Sequence, residues 1–323
     1  MSDLQEKAVA SAPFAGIPEE RLFVRNPHIQ ASASRSNTIF VGGSFLATVV
    51  AVLQLVFGTV TPAALWVALI LYIIGMVGIG MGFHRLFSHR TFVAPTSIRV
   101  ALAIAGSIAA QGSVAHWVSN HRRHHVFTDQ PNDVHSPYFN GQTPLSKWKG
   151  FVHAQVTWIY SHRTTNPLVF AKDILRDAPL QRVSQSYSRI VIAGLVAPAI
   201  IVGLIDGSWR GAFDGALWGG GVRLFAGIML PSAVNSFGHM TGWRPHATSD
   251  QSRNVGWLAL LTLGEGWHNN HHAFPGSARL GFRWWQADPI WWLIRLAESI
   301  GLITDVRSAA PIKSQTGEPP ASL

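Results

Sequence analysis

Thr38-Ile-Phe-Val-Gly-Gly-Ser-Phe-Leu-Ala-Thr-Val-Val-Ala-Val-Leu-Gln-Leu-Val-Phe57 is apolar almost throughout. After a short uncharged break, Gly58-Thr-Val-Thr-Pro62, a second apolar run covers residues 63–83 and stops directly at His84. Each run is near the roughly 20 residues that cross a bilayer, so the pair is expected to form a tight transmembrane hairpin. Residues 190–205 and 217–235 repeat the pattern around the loop Asp206-Gly-Ser-Trp-Arg-Gly-Ala-Phe-Asp214. Composition agrees: 48% of the 323 residues are hydrophobic and only 13% are charged, about half the soluble norm. The expected fold is an all-α integral membrane protein with four transmembrane helices in two hairpins and a helical cap outside the bilayer.

Sidedness follows from charge. The 206–214 loop has one basic residue, whereas Arg85, Arg90, Arg99, Arg122, Arg123, Lys147 and Lys149 all lie on the other side. The positive-inside rule puts that side in the cytosol, so we expect a multi-pass protein of a bacterial cytoplasmic membrane. Residues 97–118 are apolar but contain Arg99, Gly106, Gln111 and Gly112. They read as a third span or, preferably, as a helix lying at the interface. Residues 1–35 are polar and proline-bearing, a disordered or loosely docked lead-in without the apolar core of a signal peptide. Residues 36–307 form the membrane domain, and the polar tail 308–323 is expected to be disordered. Trp284, Trp285, Trp291 and Trp292, interleaved with Arg283, Asp288 and Arg295, suit a helix at headgroup level or an amphipathic helix packed on the domain. The formal charge of +9 fits anionic lipid or an anionic substrate. Nucleic acid is not expected, because the basic residues flank apolar spans.

The chemistry lies in the histidines. His268, His271 and His272 repeat the i, i+3, i+4 spacing of His121, His124 and His125, which brings three rings to one helix face. His84 and His89 are five apart, so on an ideal helix they diverge by roughly 140°. Irregular backbone is therefore expected around Phe87 and Ser88. The chain has no cysteine, which excludes thiolate-held haem, cysteine-ligated clusters and Cys-type zinc sites. Any metal must be held by nitrogen and oxygen, and imidazole alone does not choose among iron, zinc, copper and nickel. Metal-bound imidazoles usually donate their second nitrogen to a carboxylate or carbonyl, for which Glu265, Asp129 and Asp133 are the candidates. His135 is a weak ligand candidate. His28, His116, His153, His162 and His246 read as surface or packing residues, and Gly264 and Gly266 as points of close backbone approach.

His84-Arg-Leu-Phe-Ser-His89, His121-Arg-Arg-His-His125 and His268-Asn-Asn-His-His272 resemble the three histidine boxes of membrane fatty acid desaturases, the stearoyl-CoA delta-9 type. Asn235-Ser-Phe-Gly-His239, Gly242-Trp-Arg-Pro245 and Gly264-Glu-Gly-Trp267 match further motifs, and the likeness runs over residues 36–307. The resemblance implies two irons on nine imidazoles, His239 being the ninth, with Asn235 meeting one iron through water. It also implies that Gln111 and Trp117 line the bend of an acyl channel, where Pro231 replaces the family's usual threonine. Ser119-Asn120 stands where acyl-CoA members carry Arg-Asp, so CoA, lipid and carrier protein all remain open as acyl carriers. The implied reaction uses O2 as co-substrate and electrons from a separate ferredoxin or cytochrome b5. A membrane hydroxylase with the same metal pair and a non-catalytic metal carrier are the rival readings. The carrier predicts ligands inside the spans, whereas the apolar runs are expected to stop short of the boxes.

Overall fold

The computed structural model describes residues 17–160 and 164–309. Among them, four helices are long and apolar enough to cross a membrane: Pro27–Phe57, Pro62–Ser88, Tyr187–Asp206 and Trp209–Met240. They form two hairpins, and the fold is all-α apart from two short two-stranded ladders. The first and third spans leave most of their apolar side chains outward, with Phe57 83% and Leu204 79% exposed, as lipid-facing helices do. At the turn end the hairpins are tied by Asp214, which is fully buried and accepts from Thr61 N and Oγ1 (both 2.8 Å) and from Gln54 Nε2 (2.6 Å).

The expected lead-in is folded where it is described. Asn26 accepts from His28 N and Ile29 N, and Pro27 takes the first helical position, a cap-and-proline start. The first span therefore begins at Pro27, about three turns before the apolar run. Upstream, Phe23–Val24 pairs with Thr164–Thr165, and Leu22 and Phe23 are buried. Residues 1–16, His162 and most of the tail (310–323) lie outside the described residues.

Residues 97–118 are not one helix. Thr96–Ser107 is followed by a turn with positive φ at Ala110 (57°) and Gly112 (104°), and then by Val114–Phe127. At twelve residues Thr96–Ser107 is too short to span, so this chain stays at one end of the hairpins and both flanking boxes face one site. Helix Pro289–Ser299 buries Ile290 and Ile294 in the core and leaves Trp292 and Leu296 outward. The packed, amphipathic reading holds for this helix, and Trp284 and Trp285 lie in the turn before it. Lys147–Gln155 packs on the fourth span, where Gln155 donates to Met229 O (2.9 Å) and accepts from Ser236 Oγ (2.6 Å).

Candidate metal centre

The second span does not stay an α-helix to its end. Over Gly78–Ser88 it widens into a π-helix, and His89 N donates to His84 O at 3.1 Å. An i→i+5 ladder stacks residue i+5 over residue i. That resolves the five-residue spacing, and the His84 and His89 rings end 5.0 Å apart. Irregularity is expected at Phe87 and Ser88; it begins about two turns earlier, at Gly78. Arg122 then fastens the end of the turn, donating to Phe87 O (2.6 Å), Ser88 O (3.2 Å) and Asp173.

The third box sits on His268–Ala273, too short to be stable alone. The side chains of Asn254, outside the box, and Asn270, inside it, hold it. Asn254 Oδ1 accepts from Asn269 N (2.9 Å) and Asn270 N (3.2 Å), while Asn270 Nδ2 donates to Leu280 O (2.7 Å). Gly264 has φ +115°, and a Cβ there would meet Asp288 Oδ1 at 2.5 Å, so no other residue fits the turn into the box.

The rings converge in two adjoining sets. In the first, Nε2 atoms face one another at 3.0 Å (His84–His271), 2.7 Å (His89–His121), 3.1 Å (His121–His125) and 2.9 Å (His125–His271). In the second the separations are 2.8 Å (His239–His268) and 3.4 Å (His124–His272). Nitrogens about 2.1 Å from a common ion lie about 3.0 Å apart at right angles and about 3.4 Å apart in a tetrahedron. The observed separations fit cis ligands of shared ions. His89, His121 and His125 are half-buried and the other six are buried, so the first set is the more open.

Carboxylates on the outer nitrogens fix which way the rings point. Nδ1 contacts Glu265 in His84, Asp133 (2.9 Å) in His124, Asp129 (3.0 Å) in His239 and Asp250 (3.1 Å) in His272. A proton held on Nδ1 leaves the Nε2 lone pair directed inward. Sequence reasoning supplied Glu265, Asp129 and Asp133 but missed Asp250, which lies 22 residues from its partner. Its only signal was an acid in a chain with 16. Burial raises the Glu265 carboxyl, but His84 and Arg85 outweigh it and hold it below the ordinary carboxylate range. Gly80 gives that carboxylate room; a Cβ there would lie 2.9 Å from Oε1. Burial, reinforced by neighbouring imidazoles, pushes His89, His121, His125, His268 and His271 well below the usual imidazole value. All five are neutral near pH 7, the form that ligates.

His135 packs 4.4 Å from the His124 ring and against Trp158. Its ring, His124 and Asp133 also offer three ligand atoms within 4.8 Å of one another. His116 meets Asn120 (3.0 Å), His153 meets Thr157 (3.3 Å), and His246 packs on Phe274. Arg122 and Arg123 point inward and are not placed to meet a phosphate or headgroup: Arg122 as above, Arg123 to Asn132 O (2.9 Å) and Thr165 Oγ1 (2.7 Å).

A cavity of about 700 Å³ runs from the start of the first span to His121, lined by Gln111, Trp117, Pro231 and Asn235 among others. No Lys, Arg, Asp or Glu lines it among the described residues. It is within the size range of small-molecule sites, about 300–1,000 Å³.

Comparison with known proteins points to one family, whose members named below differ in product and acyl carrier. A family model described as fatty acid desaturase matches residues 60–299. The chain is 36% identical over 286 residues to a hex-5-enoyl-(acyl-carrier protein) acetylenase of Moorena producens, covering 88% of this chain and 89% of that one. It is 36% identical over 247 residues to delta-9 acyl-lipid desaturase 2 of Arabidopsis thaliana, 76% of each chain. It is 37% identical over 250 residues to an sn-1 stearoyl-lipid 9-desaturase of Anabaena variabilis, 76% of this chain and 85% of that one.

Proposed function

The chain belongs to the fatty acid desaturase family, and on that premise we propose that it inserts a cis double bond at the ninth carbon of a long-chain acyl group, using two irons and O2. The observation that carries the reading is the convergence of nine imidazoles, His84, His89, His121 and His271 in one set, His124, His239, His268 and His272 in a second and His125 beside His271 and His272, at the end of a cavity whose lining has no charged side chain among the described residues. The first set takes His84, His89, His121, His125 and His271. The second takes His124, His239, His268 and His272, with Asn235, one turn before His239, as its water-mediated contact.

The chemistry such an iron pair supplies is oxygen activation: with O2 and two electrons from a separate ferredoxin or cytochrome b5, two adjacent methylenes lose hydrogen as water. The protein's share is placement. Glu265, Asp129, Asp133 and Asp250 keep the outer imidazole protons in place, and Arg85 locks Glu265 through a 3.1 Å contact while also holding Asp288 at 2.9 Å. Burial keeps bulk water from the second set. The cavity delivers the chain to the half-buried face of the first set, at His121.

A lipid ester is the acyl carrier best supported. CoA brings phosphates that call for cations, and among the described residues the cavity offers Ser, Asn, Gln and His side chains instead. Two of the relatives above are named for lipid substrates. The excess of basic residues on the side of the boxes supports a cytoplasmic placement for them.

Expression in a host of known lipid profile, with fatty acids analysed by mass in each lipid class, tests this. The expected product is two hydrogens lighter than its precursor, unsaturated at the ninth carbon and found in glycerolipids. A product one oxygen heavier would mean hydroxylation and would overturn the reading.

A further inference from the structure

We propose that Gly256–Leu261, which belongs to none of the four spans, dips into the leaflet on the side of the histidine boxes, and that lipid acyl chains cover its outer face. The inference rests on the four spans and goes beyond the desaturase reading.

Val255-Gly-Trp-Leu-Ala-Leu-Leu-Thr-Leu263 carries no charged residue. Thr262 is buried and donates its hydroxyl to Leu258 O at 2.6 Å. Helix Gly256–Leu261 buries Leu258 and Ala259 and leaves Trp257, Leu260 and Leu261 exposed, Leu260 by 66%. Steps of three and four put those three side chains on one helix face. A face turned to water would carry polar residues there.

Tyr72 fixes the depth. It lies inside the second span, twelve residues before His84, a distance of roughly 18 Å at the α-helical rise. Its hydroxyl donates to Leu261 O at 2.6 Å. A tyrosine side chain is far shorter than that rise, so the end of Gly256–Leu261 sits nearer the bilayer centre than His84 does. The last carbonyls of a helix have no partner within it. Water ordinarily serves them, but in hydrocarbon the protein must. Tyr72 serves Leu261 O, and Ile290 N serves the following Leu263 O at 3.3 Å. Around Tyr72 the second span leaves Leu69, Ile70, Ile73 and Ile74 exposed, the surface that lipid covers on a span. The Trp257, Leu260 and Leu261 face joins that surface at the Tyr72–Leu261 contact. At its other end Trp257 packs edge-on to Phe237 of the fourth span, 5.4 Å between centroids. The chain then turns at Gly264 into the third box, so lipid contact at this segment sets the height of His268, His271 and His272.

The chain has no cysteine, so single cysteine variants of the full protein in phosphatidylcholine nanodiscs can be read with a charged maleimide. Leu260→Cys should react at least about tenfold more slowly than Glu20→Cys, since the thiolate is the reacting form and hydrocarbon disfavours it. Its rate should match that of Leu204→Cys on the outward face of the third span. Lipids brominated on their acyl chains should quench the parent's fluorescence more than that of Trp257→Phe. Adding Tyr72→Phe to Leu260→Cys should speed the reaction by about threefold to tenfold, the effect of one hydrogen bond. Reaction of Leu260→Cys at the Glu20→Cys rate would put the segment in water and overturn the inference. Slow reaction with equal quenching of parent and Trp257→Phe would mean that a second copy of the chain covers the face, which overturns it too. An unchanged rate on adding Tyr72→Phe would overturn the depth assigned through Tyr72. None of these measurements reads product, so a failure of the desaturase reading would leave them standing.

Discussion

Glu265→Gln separates the two ring sets, because Glu265 serves only the first. Its carboxylate has two donors to satisfy: Oε2 faces His84 Nδ1, and Oε1 accepts from Arg85 at 3.1 Å. Glutamine keeps the shape but offers one acceptor oxygen. Arg85 also holds Asp288 (2.9 Å) and Ala278 O (2.9 Å), so it stays in place and keeps its claim on that oxygen. The amide NH2 then faces His84 Nδ1. The imidazole must lose its bond or move its proton to Nε2, and a protonated Nε2 cannot ligate. One hydrogen bond to a charged group is worth about 1.5–3 kcal/mol, which corresponds to about 10–100-fold in metal affinity, the usual cost of removing an outer partner. The assay is metal retained per chain against a graded series of chelator concentrations. The variant should release one ion at about 10–100-fold less chelator and keep the other at the parental level. Release of both ions together, or of neither, would refute the assignment of His84 and Glu265 to one separable set.

Asp250→Asn should do the converse, weakening only the ion on His124, His239, His268 and His272; metal titration checks it. His135→Ala should retain two ions per chain, because the ring is read as packing on His124 and Trp158; loss of an ion would make it a ligand. Removing the metal should make stability depend on pH. The folded chain holds His89, His121, His125, His268 and His271 neutral well below their usual pKa, whereas the unfolded chain takes up those protons near pH 6.5. Unfolding therefore binds protons on acidification. The melting temperature of metal-free protein should hold above about pH 7.5 and fall below about pH 6.5. A melting temperature that rises over the same interval would contradict the burial of neutral imidazoles.

Much of this architecture is legible in the sequence because its signals are local. The apolar runs give four spans, and i, i+3, i+4 spacing gives two of the three boxes without reference to anything distant. The first box is harder, since 100° per residue is the α-helical rule and the second span leaves it at Gly78. The glycines at 78, 80 and 82 are the one hint, and they read equally well as helix packing. The start of the first span is marked by the helix cap Asn26-Pro27, but the residues after it are mainly polar and carry no apolar run. Asp250 and Arg85 were out of reach for another reason. Asp250 meets His272 across a loop, and Arg85 meets Glu265 180 residues away. A basic residue after a span looks the same in sequence whether it faces headgroups or, like Arg85, is 1% exposed.

The central claim is that His84, His89, His121, His125 and His271 hold one iron and that His124, His239, His268 and His272 hold the other. Iron counted per chain in the purified full-length protein tests it most directly. The account predicts two, bound without sulfur. One zinc per chain and no iron would contradict it.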